Sequence, residues 1–316
     1  MRRKRGRGDM ASILLAGVAV IDFIFMLDRL PRAAEKYRAR DAAISGGGCA
    51  ANAAVAVARL GGRASLAARI GDDTVGDLIV GGLEAEGVDC SRVRRFEGCR
   101  SSFSSVYVDA SGERQIVNFR DVSLSFDAAW LAAEIPARFD AALGDTRWPQ
   151  GSALVLRAAR ERGVPGVLDA EAPIAEALDA LHAASHIAFS MQGLRDRCGH
   201  GDVARGLEQV AAETSAWVCV TDGPGGVTCL SGGVISHVPA FAVDAVDTLG
   251  AGDVWHGAFA LALGEGMEEL RAVRFANAVA AIKCMRFGGR AGIPRRDEVE
   301  RFLEDRGGPG SSGGVS

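Results

Sequence analysis

Short apolar segments alternate with longer segments rich in alanine and leucine along most of the chain. The short segments have the length and β-branched content of strands, whereas the longer ones have the composition of helices. Regular alternation of the two is typical of βαβ units, in which helices cover both faces of a mainly parallel sheet. We therefore predict an α/β fold, with strands at residues 13–21, 64–70, 166–169, 186–190 and 217–221 and helices at residues 151–162, 202–214 and 269–286.

Two stretches, residues 20–45 and 98–122, break this rhythm. In the second stretch, polar and apolar residues alternate with a period of two at residues 104–109 and again at 114–119, on either side of the turn Ala110-Ser111-Gly112. That period indicates strands with one exposed face. The two stretches are predicted to form a small separate sheet over the ends of the main strands.

A glycine-rich turn opens directly into an apolar helix in the last quarter of the chain, where residues 247–253 read Asp-Thr-Leu-Gly-Ala-Gly-Asp. On either side of Ala251, Gly250 and Gly252 can direct their amides toward one point at the positive end of the helix dipole, where an anion is stabilised. Asp253 is placed to take a hydroxyl proton while those amides hold the charge of a moving phosphoryl group. The turn indicates phosphoryl transfer to an alcohol, and the alternative is an ordinary helix start with a capping aspartate.

A second glycine turn precedes a helix of small residues. Residues 46–52 read Gly-Gly-Gly-Cys-Ala-Ala-Asn, and the alanine-rich segment after them ends at Gly61-Gly62. Two such turns, far apart along the chain, indicate two walls of one site. We expect Asn52 to brace the first turn and Gly47 and Gly48 to let the backbone approach a substrate closely.

Together the two turns resemble the two signatures of the PfkB (ribokinase-like) family of carbohydrate kinases. The first signature is carried by Gly47, Gly48 and Asn52 with Leu60-Gly61, and the second by Asp247-Thr248 with residues 250–253. The resemblance implies a ribokinase-like fold, MgATP as the phosphoryl donor, and catalysis by Asp253 with its glycine turn.

The resemblance spans roughly residues 11–305, so it implies a single kinase domain. Residues 1–10 are predicted to be a disordered basic extension, and residues 306–316 a disordered tail. In the family, the small sheet is a lid that closes on the sugar, and in many members it also makes the homodimer contact. Covering the exposed edge of a sheet favours such a dimer. Closure excludes water, which would otherwise hydrolyse ATP.

The resemblance also implies a nucleotide site. Thr221, Gly223 and Gly226 lie in a turn after a predicted strand, where glycine-permitted amides can hold phosphates, and Asn277 matches a family position beside the adenine. Ser190 begins Ser-Met-Gln-Gly where many relatives carry an Asn-x-x-Glu motif that arranges Mg²⁺ through water. The phosphates themselves are therefore expected to hold most of the magnesium ion.

A monovalent-cation loop, which would bind K⁺, is a further implication of the resemblance. The matching positions offer the Asp247 side chain and a set of mostly backbone carbonyls, from Leu249, Lys283, Arg286, Gly288 and Gly292.

On the acceptor side, Asp22 at the end of the first predicted strand matches a position that binds sugar hydroxyls, and the alternative is an aspartate that caps a loop. One branch of the family, the 6-deoxy-6-sulfofructose kinases, resembles this chain most, through the segments around Lys36, Asn118, Arg147 and Arg290. In that branch the first three positions hold a sulfonate, which suits one ammonium, one amide and one fork-shaped guanidinium. Solvated loop residues are the alternative reading of Lys36 and Arg147. The other candidate acceptors are fructose 6-phosphate, fructose, ribose and 2-keto-3-deoxygluconate.

Composition limits the partners. The chain has 316 residues, 48% of them apolar, and a net charge of −4 although five of the first seven residues are basic, so the rest is acidic. This argues against nucleic-acid binding. No apolar run reaches the ~20 residues needed to span a bilayer, so no membrane partner is expected. Seven cysteines without a C-x-x-C pair are typical of reduced thiols, and a cytoplasmic enzyme is expected.

Two alternatives from other classes remain open. The letters Gly46-x-Gly48-x-x-Ala51 match a dinucleotide-binding fingerprint, but residues 40–45 before them make a poor buried strand. The second alternative is a non-catalytic, sugar-sensing relative. It would leave Asp253 and its intact turn without a role.

Overall fold

The computed structural model describes residues 10–306, and the predicted extension and tail lie almost wholly outside them. The strands of the described residues are β1 Ser12–Ala16, β2 Val20–Met26, β3 Asp41–Gly47, β4 Arg63–Gly71, β5 Asp89–Phe96, β6 Phe103–Val108, β7 Arg114–Phe119, β8 Ala141–Asp145, β9 Gly166–Ala170, β10 His186–Ser190, β11 Trp217–Thr221, β12 Val227–Ser231 and β13 Val234–Val238. The helices are α1 Cys49–Arg59, α2 Thr74–Ala85, α3 Pro149–Arg162, α4 Leu178–Ala183, α5 Met191–Cys198, α6 Val203–Thr214, α7 Ala251–Gly264, α8 Glu269–Cys284 and α9 Arg296–Asp305.

Within residues 10–306, nine strands form the main sheet in the order β13-β12-β11-β10-β9-β8-β1-β4-β5. The strands from β11 to β5 in that order run parallel, and β12 and β13 are added antiparallel at one edge. The central strands are buried on both faces, which is why they read as continuous apolar runs.

Two layers of helices cover the main sheet, as the alternation in β1 shows. Ile13 and Leu15 belong to the core formed with α1, α7 and α8. Leu14 and Ala16 belong to the core formed with α3, α4 and α6. The α/β class predicted from the sequence is confirmed.

The remaining strands of the described residues form a small sheet in the order β3-β2-β6-β7. Its outer pairs, β2 with β3 and β6 with β7, are antiparallel, while the central pair β2 and β6 is parallel. The hairpin predicted at residues 104–119 is therefore present as β6 and β7. The two edge strands of the small sheet, β3 and β7, are largely exposed.

The single strand predicted at residues 13–21 is wrong. The chain forms β1 in the main sheet and then leaves it for β2 in the small sheet. Between them, the Gly17 amide donates to the Ala67 carbonyl (3.1 Å) and the Val18 amide to Asp145 Oδ2 (2.8 Å). Both strands are apolar, so hydrophobicity alone does not mark the break. Because the first strand ends at Ala16, Asp22 lies inside β2 and does not end the first strand.

No helix among residues 10–306 combines the length and the hydropathy that crossing a bilayer requires.

Candidate active site

The two glycine turns meet at one point, although they are 201 residues apart along the chain. Gly250 has a φ of 73° and precedes α7, so Asp253 lies in the first turn of that helix. Asn52 Nδ2, from α1, donates a hydrogen bond of 2.8 Å to Asp253 Oδ2. The half-buried carboxylate is thereby held in a fixed position close to Asp169, near the end of β9.

The turn before α7 presents free amides. The Ala251 amide donates to the Thr248 carbonyl at 3.2 Å. The amides of Gly250 and Gly252 have no acceptor within residues 10–306, and Gly252 is exposed. Free amides at the start of a 14-residue helix make a place where an anion is stabilised.

Several acidic groups share the low-dielectric space around Asp253. Burial raises the pKa of Asp253, against the hydrogen bond from Asn52 and the nearby His256. Burial also raises the pKa of Asp169, at the end of β9, to about 7. His256 lies behind the two carboxylates, with Nε2 3.5 Å from Asp169 Oδ1 and Nδ1 2.7 Å from the Gly252 carbonyl. Cys49 Sγ lies within 4.8 Å of both carboxylates, and burial raises the pKa of its thiol well above the usual value.

The glycines of the first turn allow close contacts inside the protein. Gly48 has a φ of 96°, and a Cβ there would lie 2.4 Å from the Val18 carbonyl oxygen. A Cβ on Gly47 would lie 2.3 Å from Asp22 Oδ2. The turn thus brings the backbone against Asp22, the residue predicted to bind sugar hydroxyls.

Arg290 and Asp145 hold the site together, and sequence reasoning assigned neither of them a role. Arg290 Nε donates to Asn52 Oδ1 at 3.1 Å, and its Nη2 donates to the Gly47 carbonyl at 3.3 Å. Asp145, buried at the end of β8, accepts four backbone amides, from Val18, Ala50, Arg147 and Trp148. The only sequence signal for Asp145 was its place after an apolar run, and that run was not predicted as a strand.

Asp22 and Asn118 lie on one face of the small sheet. The strand register places Ser45, Asp22, Ser104 and Asn118 in one row across β3, β2, β6 and β7. Asn118 Nδ2 donates to Ser104 Oγ at 3.2 Å. Burial raises the pKa of Asp22, and the hydrogen bond with Ser104 and the charge of Arg290 oppose that shift. Two strand spacings separate the Asp22 and Asn118 backbones, about 10 Å.

Arg147 and Lys36 stand apart from that row. Arg147 lies two residues after the end of β8 and is half-buried. It donates to Glu171 Oε2 at 2.6 Å and to the Ala172 carbonyl at 2.9 Å. Lys36, in the segment between β2 and β3, is exposed and forms no hydrogen bond or ion pair with any described residue. Within residues 10–306 no hydrogen bond joins Lys36, Asn118 and Arg147 to one another.

The residues predicted to hold the nucleotide end two neighbouring strands. Ser190 and Thr221 are paired in the register of β10 and β11, at the edge where ligands of parallel sheets bind. Ser190 Oγ caps α5 by accepting the Gly193 amide at 3.0 Å. Gly226 has a φ of 85°, and a Cβ there would lie 2.5 Å from the Val238 carbonyl oxygen, while Gly223 has a φ of 49°.

Asn277 is buried, and its side chain is fully engaged inside the protein. Its Oδ1 accepts a hydrogen bond of 2.7 Å from Trp255 Nε1, and its Nδ2 donates to the Pro239 carbonyl at 3.1 Å. These contacts tie α7 and α8 to the segment after β13. The predicted contact with adenine remains a prediction.

A cavity of 740 Å³ elsewhere on the surface contains none of the predicted site residues. Its lining includes Asp127, Gln150, Arg157, Glu176 and Asp179. The Asp253 carboxylate, the free amides and Asp22 lie elsewhere, and we place the candidate site at these groups.

The predicted cation loop contains a cationic side chain. Asp247 is buried, and its Oδ2 accepts the amides of Gly288 (3.1 Å) and Gly289 (2.9 Å). Lys283 was expected to contribute its carbonyl, but its Nζ donates to the Asp247 carbonyl at 2.7 Å. Burial opposes the charge on Asp247, but the Leu249 and Gly289 amides together with Lys283 hold the pKa of Asp247 below its usual value. Burial lowers the pKa of Lys283, against the nearby Asp247.

Comparison with known proteins gives consistent matches. A family model described as pfkB family carbohydrate kinase matches residues 10–296. The ATP-dependent ribose-1-phosphate kinase of Halopiger xanaduensis is 33% identical over 305 residues, covering 94% of this chain and 99% of that protein. The ribokinase of Bacillus subtilis is 28% identical over 297 residues, covering 93% and 100%. The crystal structure of a candidate ribokinase from Agrobacterium tumefaciens is 37% identical, with a TM-score of 0.89, and covers 94% of this chain and 99% of that one.

Proposed function

This chain belongs to the pfkB family of carbohydrate kinases, and on that premise we propose that it phosphorylates the C1 hydroxyl of an anionic ketohexose, 6-deoxy-6-sulfofructose in the first place. The family makes it an ATP-dependent sugar kinase of ribokinase-like α/β fold, a phosphotransferase that acts on a hydroxyl group. The acceptor, the residue roles and the dimer are our proposals. The observation that carries the proposed phosphoryl transfer is Asp253, held by Asn52 where the two glycine turns meet.

Asp253 is the proposed general base. A hydroxyl group that approaches the Asp253 carboxylate would give up its proton to it as the γ-phosphoryl group moves in line toward the hydroxyl oxygen. Burial raises the pKa of Asp253, which makes the carboxylate a stronger base than an exposed aspartate. The hydroxyl oxygen attacks phosphorus and ADP leaves, so no covalent enzyme intermediate is needed.

The free amides of Gly250 and Gly252 are the proposed anion hole. They sit at the positive end of α7, three residues or fewer from Asp253. Donors aimed at the oxygens of the moving phosphoryl group act most strongly where charge develops, and they need no reorganisation during the reaction. MgATP is the second substrate, and the strand-end residues Ser190, Thr221, Gly223 and Gly226 are proposed to hold its phosphates.

Arg147 is the strongest support for an anionic acceptor. The charges of Asp145, Glu171 and Cys49 act on its half-buried guanidinium, and Cys49 Sγ lies within 4.8 Å of the Asp253 carboxylate. Two of its donors are used by Glu171 and Ala172, and a guanidinium has five. A sulfonate or phosphate could take the remaining donors, with Lys36 and Asn118 completing the set when the small sheet closes on the sugar.

A phosphorylated pentose is the second candidate acceptor. The same Arg147 would bind a phosphate as well as a sulfonate, because both present tetrahedral oxygens to a planar fork. The relative named ATP-dependent ribose-1-phosphate kinase is 33% identical to this chain. Neutral ribose follows, since the 28% identical relative is named ribokinase.

We also propose that the chain forms a homodimer through the small sheet. The register puts Ile44, Phe23, Ser105 and Val117 in one row, on the face opposite Asp22. Ile44 is 61% and Val117 58% exposed. Half-buried aromatic rings lie on the same face, with Phe25 stacked on Tyr107 and Phe103 against Phe119. An exposed apolar face next to two sheet edges is typical of a protein contact.

The direct test is ADP release with MgATP and a panel of acceptors: 6-deoxy-6-sulfofructose, fructose 6-phosphate, ribose 1-phosphate, fructose, ribose and 2-keto-3-deoxygluconate. We expect kcat/KM for the sulfosugar to exceed that for neutral sugars by about 100-fold, which is ~3 kcal/mol of transition-state binding. A preference for ribose 1-phosphate would support the second candidate. A preference for a neutral sugar would contradict the role given to Arg147 and leave the kinase chemistry in place.

A further inference from the structure

Lys283 is a lysine whose side chain is entirely buried. It lies near the end of α8 and is 0% exposed. Its Nζ donates to the Asp247 carbonyl at 2.7 Å and lies 3.6 Å from Asp247 Oδ2. Lysine is almost never fully buried unless it is paired, because removing an ammonium from water is costly. Asp247 is the residue that makes this burial possible.

Every oxygen of Asp247 already has a donor. Oδ1 accepts the Leu249 amide at 2.9 Å and Arg114 Nη2 at 2.9 Å. Oδ2 accepts the amides of Gly288 and Gly289. The main-chain oxygen accepts Lys283 Nζ. One carboxylate therefore organises two segments of the site and the first residue of β7.

A bound K⁺ ion does not fit this arrangement. The Lys283 ammonium and the Arg114 guanidinium already lie within 4 Å of the Asp247 carboxylate. A K⁺ ion would have to share that single negative charge with both of them. Two of the expected carbonyl ligands also accept amides: Lys283 O from Arg286 and Gly288 O from Ala291. The residues of the predicted cation loop thus disagree with the expected ion.

We propose that the Lys283 ammonium is the resident cation of this loop, so that the protein works and keeps its stability without any monovalent metal ion. Lys283 is a positioning residue, since it touches neither Asp253 nor the free amides. It neutralises Asp247, and Asp247 fixes the amide of Leu249, next to Gly250. On the other segment, Asp247 fixes Gly288 and Gly289, next to the Arg290 that holds Asn52 against Asp253.

The experiment compares the wild-type chain with Lys283→Ala and Lys283→Met, each in potassium chloride and in tetramethylammonium chloride of equal ionic strength. Alanine leaves room in which K⁺ or NH₄⁺ can replace the ammonium. Methionine is the matched control, because it fills the space without charge. Melting temperature is one measurement, and ADP release with the best acceptor is the other.

We expect wild-type melting temperature and turnover to be equal in the two salts. In tetramethylammonium chloride, Lys283→Ala should lose about 100-fold in turnover, the effect of displacing a catalytic group by ~1 Å. Potassium or ammonium ions should restore most of that loss in a saturable way and raise the melting temperature of Lys283→Ala. Lys283→Met should show the loss without the rescue.

A saturable rise in wild-type melting temperature or turnover with K⁺ would overturn the proposal, and so would a folded Lys283→Ala that no monovalent cation stabilises or reactivates. If Lys283→Ala does not fold, the salt dependence of the wild type still decides. The turnover measurement rests on the proposed kinase function, but the melting measurement does not. A protein that releases no ADP with any acceptor would contradict the proposed function while leaving the melting result intact.

Discussion

The start of α7 and the small sheet are built in opposite ways. From Val254 to Leu263 every residue of α7 is buried, and Asp253 is fixed by a chain of contacts through Asn52 and Arg290. In the small sheet, most of β7 is exposed, and the side chain of Asn118 makes one internal hydrogen bond. The proposed base is therefore preorganised by the core, whereas Asn118, which is proposed to bind the acceptor, lies on a largely exposed strand.

The same contrast appears in the acidic groups. Burial raises the pKa of the carboxyls of Asp253, Asp169 and Asp145. At the ends of β6 and β7, hydrogen bonds from Ser111 and Ser123 lower the pKa of Asp109, and that of Asp121 to about 2. Substitutions near α7 should thus change turnover and pH dependence, and substitutions in or beside the small sheet should change affinity and assembly.

The largest effect is expected at the base. Asp253→Asn keeps the shape of the side chain but removes the proton acceptor, so kcat should fall by about 10³-fold with little change in KM. Steady-state ADP release and a melting curve check this. Asp244→Asn, an exposed aspartate nearby in the chain, is the control and should keep its turnover. Turnover of Asp253→Asn within about tenfold of the wild type would sink the base assignment.

Next comes Arg147, which should separate anionic from neutral acceptors. Hydrogen bonds to charged groups contribute ~1.5–3 kcal/mol, so Arg147→Ala should raise KM for the anionic sugar by about 10- to 100-fold and spare a neutral sugar. Arg138→Ala removes the same charge from an exposed site and should change neither. An equal loss on both sugars would make Arg147 a structural residue that holds Glu171.

A smaller effect is expected on stability near the base. Because the folded pKa of Asp169 is about 7 and the unfolded value is ~3.9, the folded chain binds more protons between these values. This group therefore makes the free energy of unfolding fall as pH rises from about 4 to about 7. Asp169→Asn removes that dependence and should gain about 2.5 kcal/mol relative to the wild type between pH 5 and pH 8. Urea unfolding of both proteins at pH 5 and pH 8 measures this gain. If the free energy of unfolding changed equally with pH in the two proteins, the prediction would be contradicted.

Local sequence patterns predicted the apolar central strands and missed two strands that lack such a pattern. The central strands β10 and β11 are continuous apolar runs, and both were predicted with their observed bounds. The strand β5 was missed because it lies at an edge of the main sheet and carries four charged residues. The strand β8 was missed because Ala-Ala-Leu-Gly-Asp lacks β-branched residues.

In the site, the glycine turns pointed to Asp253 and Asn52, and the structure brings these two residues into contact. Arg290, Asp145 and His256 act through contacts between distant segments, such as the 238 residues between Asn52 and Arg290. Local sequence carries no record of such pairings. Lys283 is a further example. Its position in the sequence matched a carbonyl ligand of a cation loop, but the contact of its ammonium with Asp247 depends on how distant segments pack.

The smallest effect on stability is expected for a substitution on the outer face of the small sheet. Such a substitution should change assembly and leave folding unchanged. Val117→Lys substitutes an exposed position, so the free energy of unfolding should change by no more than ~0.5 kcal/mol. If this face is the dimer contact, sedimentation velocity should show the wild type as a dimer and Val117→Lys shifted to monomer. Val234→Lys, equally exposed on β13 at the edge of the main sheet, should remain a dimer. Because the core holds the proposed base and anion hole, monomeric Val117→Lys should keep its kcat. A wild type that sediments as a monomer would contradict the proposed contact altogether.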